Sequence, residues 1–119
     1  MGRSTPDWQE TLFDSSGDQT AQVLKASPGY LKYLHAINAN TVDIYVQFFD
    51  AAVADVTVGT TTPKWSLLVP AGNGAQGGIF DEQWQDPVSF GTAISYACTT
   101  TATGAGAPTT GLTLNFGFI

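Results

Sequence analysis

The stretch that decides the fold is Thr41–Asp50, which reads TVDIYVQFFD. Apolar side chains recur at every second position, namely Val42, Ile44, Val46 and Phe48. The positions between them carry a mixed set, namely Asp43, Tyr45, Gln47 and Phe49. Successive side chains of a β-strand point to opposite faces, so this period of two predicts a strand with one face in a core.

Short apolar stretches of the same kind recur along the chain, separated by turn residues such as Ser27-Pro28-Gly29 and Pro70-Ala71-Gly72. Together with Thr41–Asp50 they predict eight strands, the others being Gln19–Ala26, Tyr30–Ile37, Lys64–Val69, Ala75–Phe80, Val88–Phe90, Ala93–Thr100 and Leu112–Phe118. Because no helical pattern separates these strands, parallel βαβ units are excluded. We therefore predict an all-β protein, either an antiparallel, jelly-roll-like β-sandwich of about eight strands or a barrel.

Three connecting segments have distinct compositions. Ala51–Thr62 is irregular, and Asp81–Pro87 reads as a polar loop between two short strands. Thr101–Pro108 (TATGAGAP) consists of small residues and reads as an exposed loop tip that faces solvent.

The N-terminal residues differ from the rest, because residues 1–18 are polar and contain several Asp and Ser. We expect an N-terminal arm over residues 1–18 and a single β-sandwich domain over residues 19–119. A polar arm needs a surface to lie on, which favours an assembly. The first residues lack the apolar region of a signal peptide, and no stretch reaches the ~20 apolar residues of a membrane span. We expect synthesis in a cytoplasm and no membrane partner.

The charge pattern argues against nucleic-acid binding. Only 12% of the residues are charged and the net charge is −6. The four cationic side chains, Arg3, Lys25, Lys32 and Lys64, form no cluster that could neutralise a phosphate backbone. So few charges are typical of a surface that a partner covers.

No group of residues predicts catalysis, a metal site or a cofactor. The single histidine, His35, has no second histidine or nearby cysteine to complete a zinc site, and we expect a neighbour in the sheet to satisfy it. The single cysteine, Cys98, lies in an apolar strand, where it reads as a small buried hydrophobic residue. The glycines of Gly72–Gly78 precede Ile79 and not a helix, so they indicate a hairpin connection and no phosphate-binding loop. We predict no enzymatic activity.

Two tryptophans raise the alternative of carbohydrate binding. Trp65 shares a face with Leu67 and Val69, which favours a place in the core. Trp84 lies in the predicted acidic loop Asp81–Pro87, where it could offer a stacking platform to a glycan.

Five segments follow one another in a distinctive order. They are Ile37-Asn38, Val42–Asp50 (VDIYVQFFD), Val58–Pro63 (VGTTTP), Ser66–Gly72 (SLLVPAG) and Phe90–Ala97 (FGTAISYA). Over residues 22–119 this order resembles a family of small tailed-bacteriophage virion proteins. The last segment departs from the family pattern, because its glycine lies early, at Gly91, and Ala93 takes the usual place of that glycine. The resemblance implies a β-sandwich virion protein without catalytic residues.

The resemblance and the composition together predict a capsid decoration (cement) protein on the surface of a virion. It would bind the major capsid protein or other virion proteins as a homo-oligomer, with a trimer favoured. The candidate interface residues are aromatic and expected to face outward: Trp8, Phe13, Tyr30, Tyr45 and Phe49. A neck, tail or baseplate component and a carbohydrate-binding surface module remain the alternatives.

Overall fold

A computed structural model describes residues 10–73 and 76–119 of the chain. Two four-stranded antiparallel sheets stack face to face, which confirms the predicted all-β sandwich of eight strands. The strands are β1 (Glu10–Gly17), β2 (Gln22–Lys25), β3 (Gly29–Asn38), β4 (Ile44–Phe49), β5 (Trp65–Val69), β6 (Gly78–Phe90), β7 (Ile94–Thr99) and β8 (Leu112–Phe118). A single 3₁₀ turn, Val53–Asp55, interrupts the loop between β4 and β5.

The strand pairs are nested. The first strand pairs with the eighth, the second with the seventh, the third with the sixth and the fourth with the fifth. The resulting orders are β1-β8-β3-β6 in one sheet and β2-β7-β4-β5 in the other. A long hairpin that folds over on itself gives this jelly-roll arrangement.

The core lies between the sheets and follows the alternation of the strands. Ile44, Val46 and Phe48 of β4 are fully buried, and Leu31, Leu114 and Phe116 from the opposite sheet contribute to the same cluster. Strand β4 begins two residues after Val42. The side chain of Val42 is exposed, whereas the alternation predicted that it lies in the core. The strand is therefore shorter than the pattern suggested.

Residues 10–17 form strand β1. They are therefore part of the sandwich and not of the N-terminal arm that was expected over residues 1–18. Thr11 and Phe13 point away from the core, whereas Leu12 packs against it. The backbone pairs with β8 from Glu10 to Asp14, and the register shifts before Gly17. Polar residues are tolerated here because β1 is an edge strand with one face in solvent. Residues 1–9, which include Trp8, lie outside the described residues.

Strand β6 is continuous where the sequence predicted two strands and a loop. Its register against β3 steps from Tyr33↔Gln83 to Leu31↔Val88, so four residues of β6 bulge opposite one residue of β3. The bulge holds Pro87, which an edge strand accommodates because it needs no second hydrogen-bonding partner. Lys32 is buried behind this bulge, with its ammonium group 3.4 Å from the carbonyl of Gln85.

Two polar side chains from the segments Ile37-Asn38 and Val42–Asp50 fasten loops to strands. The buried Asn38 amide donates hydrogen bonds to the carbonyls of Val42, Val69 and Pro70, which ties the end of β3 to the end of β5. At the end of β4, the Asp50 carboxylate accepts hydrogen bonds from the backbone N–H groups of residues 91, 92 and 93. These contacts give the motifs a structural role.

Candidate docking face

The outer faces of the two sheets differ in what covers them. On the β2-β7-β4-β5 sheet, the outward side chains of Gln47, Ser95 and Thr99 are completely buried. Two loops, 50–64 and 100–111, lie over them. The sandwich therefore has a third layer on this side, made of loop and not of regular structure.

Side-chain hydrogen bonds hold the loops to the covered face. The Gln47 amide donates to the carbonyls of Thr101 and Gly104 and to the hydroxyl of Thr99. The Ser95 hydroxyl donates to the carbonyl of Ala51 at 2.7 Å. Because both loops are bonded to side chains in the sheet centre, they close this face to a partner.

The two loops also contact each other closely. Gly59 has a φ of +92°, and a Cβ atom at this position would lie 2.9 Å from the Cβ of Ala105. Only glycine combines this backbone conformation with this close approach. The predicted loop tip 101–108 is thus exposed on one side and packed on the other.

The outer face of the β1-β8-β3-β6 sheet lacks such a layer among the described residues. One row of cross-strand neighbours crosses all four strands, in the order Phe13, Asn115, His35 and Asp81. We call these four residues the open-face row. Since neighbouring strands lie about 4.8 Å apart, the row is roughly 14 Å long.

Large apolar side chains lie in and beside the open-face row. Phe13 is 63% exposed, and Ile79, in the next row on β6, is 56% exposed. On the other side of the row, Thr11 and Tyr33 stand on either side of Gly117, which has no side chain. A shallow groove of ≈ 430 Å³ results, with walls formed by Phe13 on one side and Tyr33 and His35 on the other.

A carboxylate organises the polar part of this face. Asp81 Oδ1 lies 3.3 Å from His35 Nδ1, and the carboxylate also accepts a hydrogen bond from the Tyr33 hydroxyl. Partial burial, this hydrogen bond and the negative charge of Asp81 raise the pKa of Tyr33. The side chains of Tyr33 and His35 are therefore held in place by a carboxylate that is itself 57% exposed.

The structure separates the predicted interface residues into two groups. Phe13 and Tyr30 lie on the open sheet face and are exposed, as predicted. Tyr45 and Phe49 lie on the covered face, where Tyr45 is half-buried and Phe49 is completely buried. The expectation that Phe49 is available to a partner is wrong, because its cross-strand neighbour Ser95 is bonded to the loop that covers this face.

The predicted glycan platform is also placed differently. Trp84 lies within strand β6 and not in a loop, and it packs half-buried against the core. Its ring stands 5.2 Å from that of Trp65 and 6.4 Å from that of Phe80. The three rings pack together between β5 and β6. Trp65 is half-buried against the core, which agrees with the position that its sequence context favoured.

The open-face row went unrecognised in the sequence. Alternation along β3 and β8 places His35 and Asn115 on the same side as Tyr33, and this signal was readable. Asp81 was hidden, because the polar run that follows it suggested a loop. The prediction that a neighbour satisfies His35 agrees with the contact to Asp81.

Two further titratable groups lie inside the sandwich. Cys98 is fully buried, as predicted, and its burial, together with the charges of Asp14 and Asp18, raises the pKa of the thiol well above its usual value. Burial and a hydrogen bond to Asp14 likewise raise the pKa of Tyr96, whose hydroxyl lies 2.7 Å from the carboxylate. The Tyr96 hydroxyl links β7 to β1, and both groups remain protonated at neutral pH.

Residues 10–73 and 76–119 contain no group of three or more His, Cys, Asp or Glu side chains placed to hold a metal ion. No helix in the same ranges has the length and hydropathy to cross a membrane. No protein-family model, curated protein or solved structure matches the chain.

Proposed function

We propose that the protein is a non-enzymatic structural component of a bacteriophage particle and binds its partner through the open face of the β1-β8-β3-β6 sheet. The observation that carries the proposal is the difference between the two outer faces. One is closed at its centre by the protein's own loops and exposes Val23 and Leu68 only at its edge strands. The other exposes Phe13 and Ile79 around an ordered polar row. Large exposed apolar side chains grouped on one face are typical of interaction surfaces.

Within that class, we propose a capsid decoration protein that binds the major capsid protein as a homo-oligomer, with a trimer favoured. The resemblance of residues 22–119 to small tailed-phage virion proteins supports this assignment. Jelly rolls also recur in viral capsid and lectin domains, which adds an argument by analogy of fold. In this role the loop 101–108, on the opposite side of the sandwich, faces solvent on the particle surface.

The described lysines are consistent with a protein partner and not a nucleic acid. Lys25 pairs with Glu10 at 3.8 Å, and Lys32 is buried. Lys64 donates to the carbonyl of Ser89 and lies over the ring of Phe90. Since each of the three is engaged within the protein, they form no basic surface for a phosphate backbone.

The direct test is co-sedimentation of the purified protein with expanded, undecorated phage capsids. We expect saturable binding with hundreds of copies per head, and a discrete oligomer in analytical ultracentrifugation. Binding to tails with few copies per particle would favour a neck, tail or baseplate component instead. A protein that stays monomeric and sediments with no phage structure would refute the proposal.

Paired variants test the proposed face. Phe13→Ser removes an exposed apolar side chain from the open face, and Leu68→Ser removes one from edge strand β5 of the other sheet. We expect Phe13→Ser to weaken capsid binding by about tenfold or more, since an aromatic hot-spot side chain at an interface contributes about 2 kcal/mol. Leu68→Ser should bind like the unaltered protein. Equal loss in both variants would contradict the choice of face.

A further inference from the structure

The open face carries a negative charge that lacks a lysine partner. Asp81 is 57% exposed and contacts His35 and Tyr33, while the three described lysines are engaged with Glu10, Gln85 and Ser89. The whole chain has a net charge of −6. None of the three described lysines therefore pairs with Asp81, which leaves this carboxylate open to a cation supplied by a partner.

The surroundings of Asp81 favour one kind of cation. The carboxylate contacts Tyr33 and His35, and these two side chains form one wall of the groove of ≈ 430 Å³. A guanidinium group is planar, donates hydrogen bonds in a fork and stacks on aromatic rings. An ammonium group is a compact, strongly hydrated charge that gains less from such a flat groove.

The groove is also ordered before a partner arrives. The contacts from His35 and Tyr33 fix the orientation of the Asp81 carboxylate. A carboxylate that is already held in place loses little side-chain freedom on binding, so more of the interaction is realised as affinity. Charge-assisted hydrogen bonds of this kind are also shorter and stronger than neutral ones.

We propose that the open face binds an arginine side chain of its partner protein, with the guanidinium against Asp81 and the aliphatic part along the groove wall formed by Tyr33 and His35. This inference rests on the proposed function, because it assigns the chemistry of the partner that the face binds. It adds that the contacted surface of the capsid presents an arginine surrounded by apolar residues.

The test is an NMR titration of the full-length protein with N-acetyl-arginine amide. N-acetyl-lysine amide has the same charge without the planar group, and N-acetyl-citrulline amide has the same shape without the charge. We expect the arginine probe to shift the resonances of the His35 ring and the Tyr33 ring saturably, with weaker effects from the other two. Equal shifts from all three probes, or none from arginine, would overturn the proposal.

Charge-matched variants locate the binding. Asp81→Asn should weaken binding of the arginine probe by at least about tenfold, because a hydrogen bond to a charged group contributes at least about 1.4 kcal/mol. Asp55→Asn removes the same charge from an exposed position in the loop on the covered side and should leave binding unchanged. Equal binding by Asp81→Asn and Asp55→Asn would overturn the assignment.

Two further arms separate other occupants. A neutral disaccharide that shifts the same resonances when the arginine probe does not would mark a glycan site and overturn the proposal. Arg3 lies outside the described residues and is the chain's single arginine. If Arg3→Gln strengthens probe binding, the groove holds a segment of this chain, which overturns the assignment to a partner protein.

The capsid assay separates this inference from the proposed function. If capsids bind the protein and its Asp81→Asn variant equally well, the arginine inference fails and the proposed function stands. If the arginine probe binds at Asp81 and no phage structure does, the proposed function fails and the recognition chemistry stands. Competition of the arginine probe with capsid binding, lost in Asp81→Asn, would support both.

Discussion

The two outer faces of the sandwich start from similar strands and end in opposite states. Both sheets have four antiparallel strands, and both carry aromatic and polar side chains on their outer side. On the β2-β7-β4-β5 sheet, loops 50–64 and 100–111 bury the outward side chains of the two central strands, such as Gln47 and Ser95. On the other sheet, Phe13 and Asp81 remain exposed. The comparison teaches that an outward position in a strand does not by itself make a docking residue. An outward side chain is available to a partner only where no connecting loop folds back over the sheet.

The largest expected effect is the difference between two phenylalanine truncations. Phe49→Ala should lower the free energy of unfolding by about 3–5 kcal/mol, because it empties a fully buried site beneath the loop layer. Phe13→Ala should change it by no more than about 0.5 kcal/mol, because the ring is exposed. Urea unfolding of both variants measures the difference. Similar losses of unfolding free energy in the two variants would show that the two outer faces do not differ in burial.

A smaller effect is expected where the two covering loops meet. Gly59→Ala should destabilise the protein by roughly 1–3 kcal/mol, because alanine is strained at a φ of +92° and its Cβ would crowd Ala105. Gly91→Ala is the matched control, since a Cβ there would meet only Asp50, at 3.8 Å. Thermal unfolding of both variants is the measurement. A Gly59→Ala variant as stable as the control would mean that the loops do not depend on each other.

The next effect concerns pH, at the point where loop 50–64 begins. Burial alone would raise the pKa of Asp50, but hydrogen bonds from the backbone of Thr92, Gly91 and Ala93, together with the charge of Lys64, hold it below the usual value. The stability that comes from the ionised carboxylate is therefore present above the unfolded-state pKa of about 3.9 and is lost as pH falls through the lower folded value.

The unaltered protein should accordingly lose melting temperature more steeply below about pH 4 than Asp50→Asn does. At pH 7 the unaltered protein should have the higher melting temperature, because asparagine accepts fewer of the backbone hydrogen bonds than the ionised Asp50 carboxylate does. Melting curves of both proteins from pH 2 to pH 7 give the comparison. Parallel pH profiles would show that the ionised Asp50 carboxylate does not anchor the loop.

The smallest effect is expected on the open face itself. His35→Gln and Asp81→Asn should each change the free energy of unfolding by less than about 1 kcal/mol, since surface ion pairs contribute little to stability. Chemical denaturation at pH 7 tests this. A substantially larger loss would assign the open-face row to folding and weaken its proposed role in docking.

The fold could be predicted from the sequence because its signals are local. Alternation in Thr41–Asp50 and Leu112–Phe118, with glycine and proline between the strands, predicted the sandwich and most of its elements. The exceptions have a common cause. β1 and the middle of β6 are edge segments with polar residues and, in β6, a proline, and such segments resemble loops when only composition is considered.

The candidate site was harder to predict because it depends on pairing over long distances in sequence. Phe13, His35, Asp81 and Asn115 come from four different strands, and only the register of the sheet makes them a row. The burial of Phe49 depends on a loop whose path leaves no trace in the strand pattern. Local sequence therefore identified two of the exposed aromatics, Phe13 and Tyr30, and not the polar centre beside Phe13.

The nested pairing of the strands has a consequence for the order of events during synthesis. Strand β8 lies between β1 and β3, so Phe13 and His35 become neighbours only after residues 112–118 have left the ribosome and inserted. Pairings between such distant segments form slowly, in milliseconds to seconds for β proteins of this kind. A chain in which β8 is not yet paired thus lacks the open-face row, and the proposed docking face forms only once β8 lies between β1 and β3.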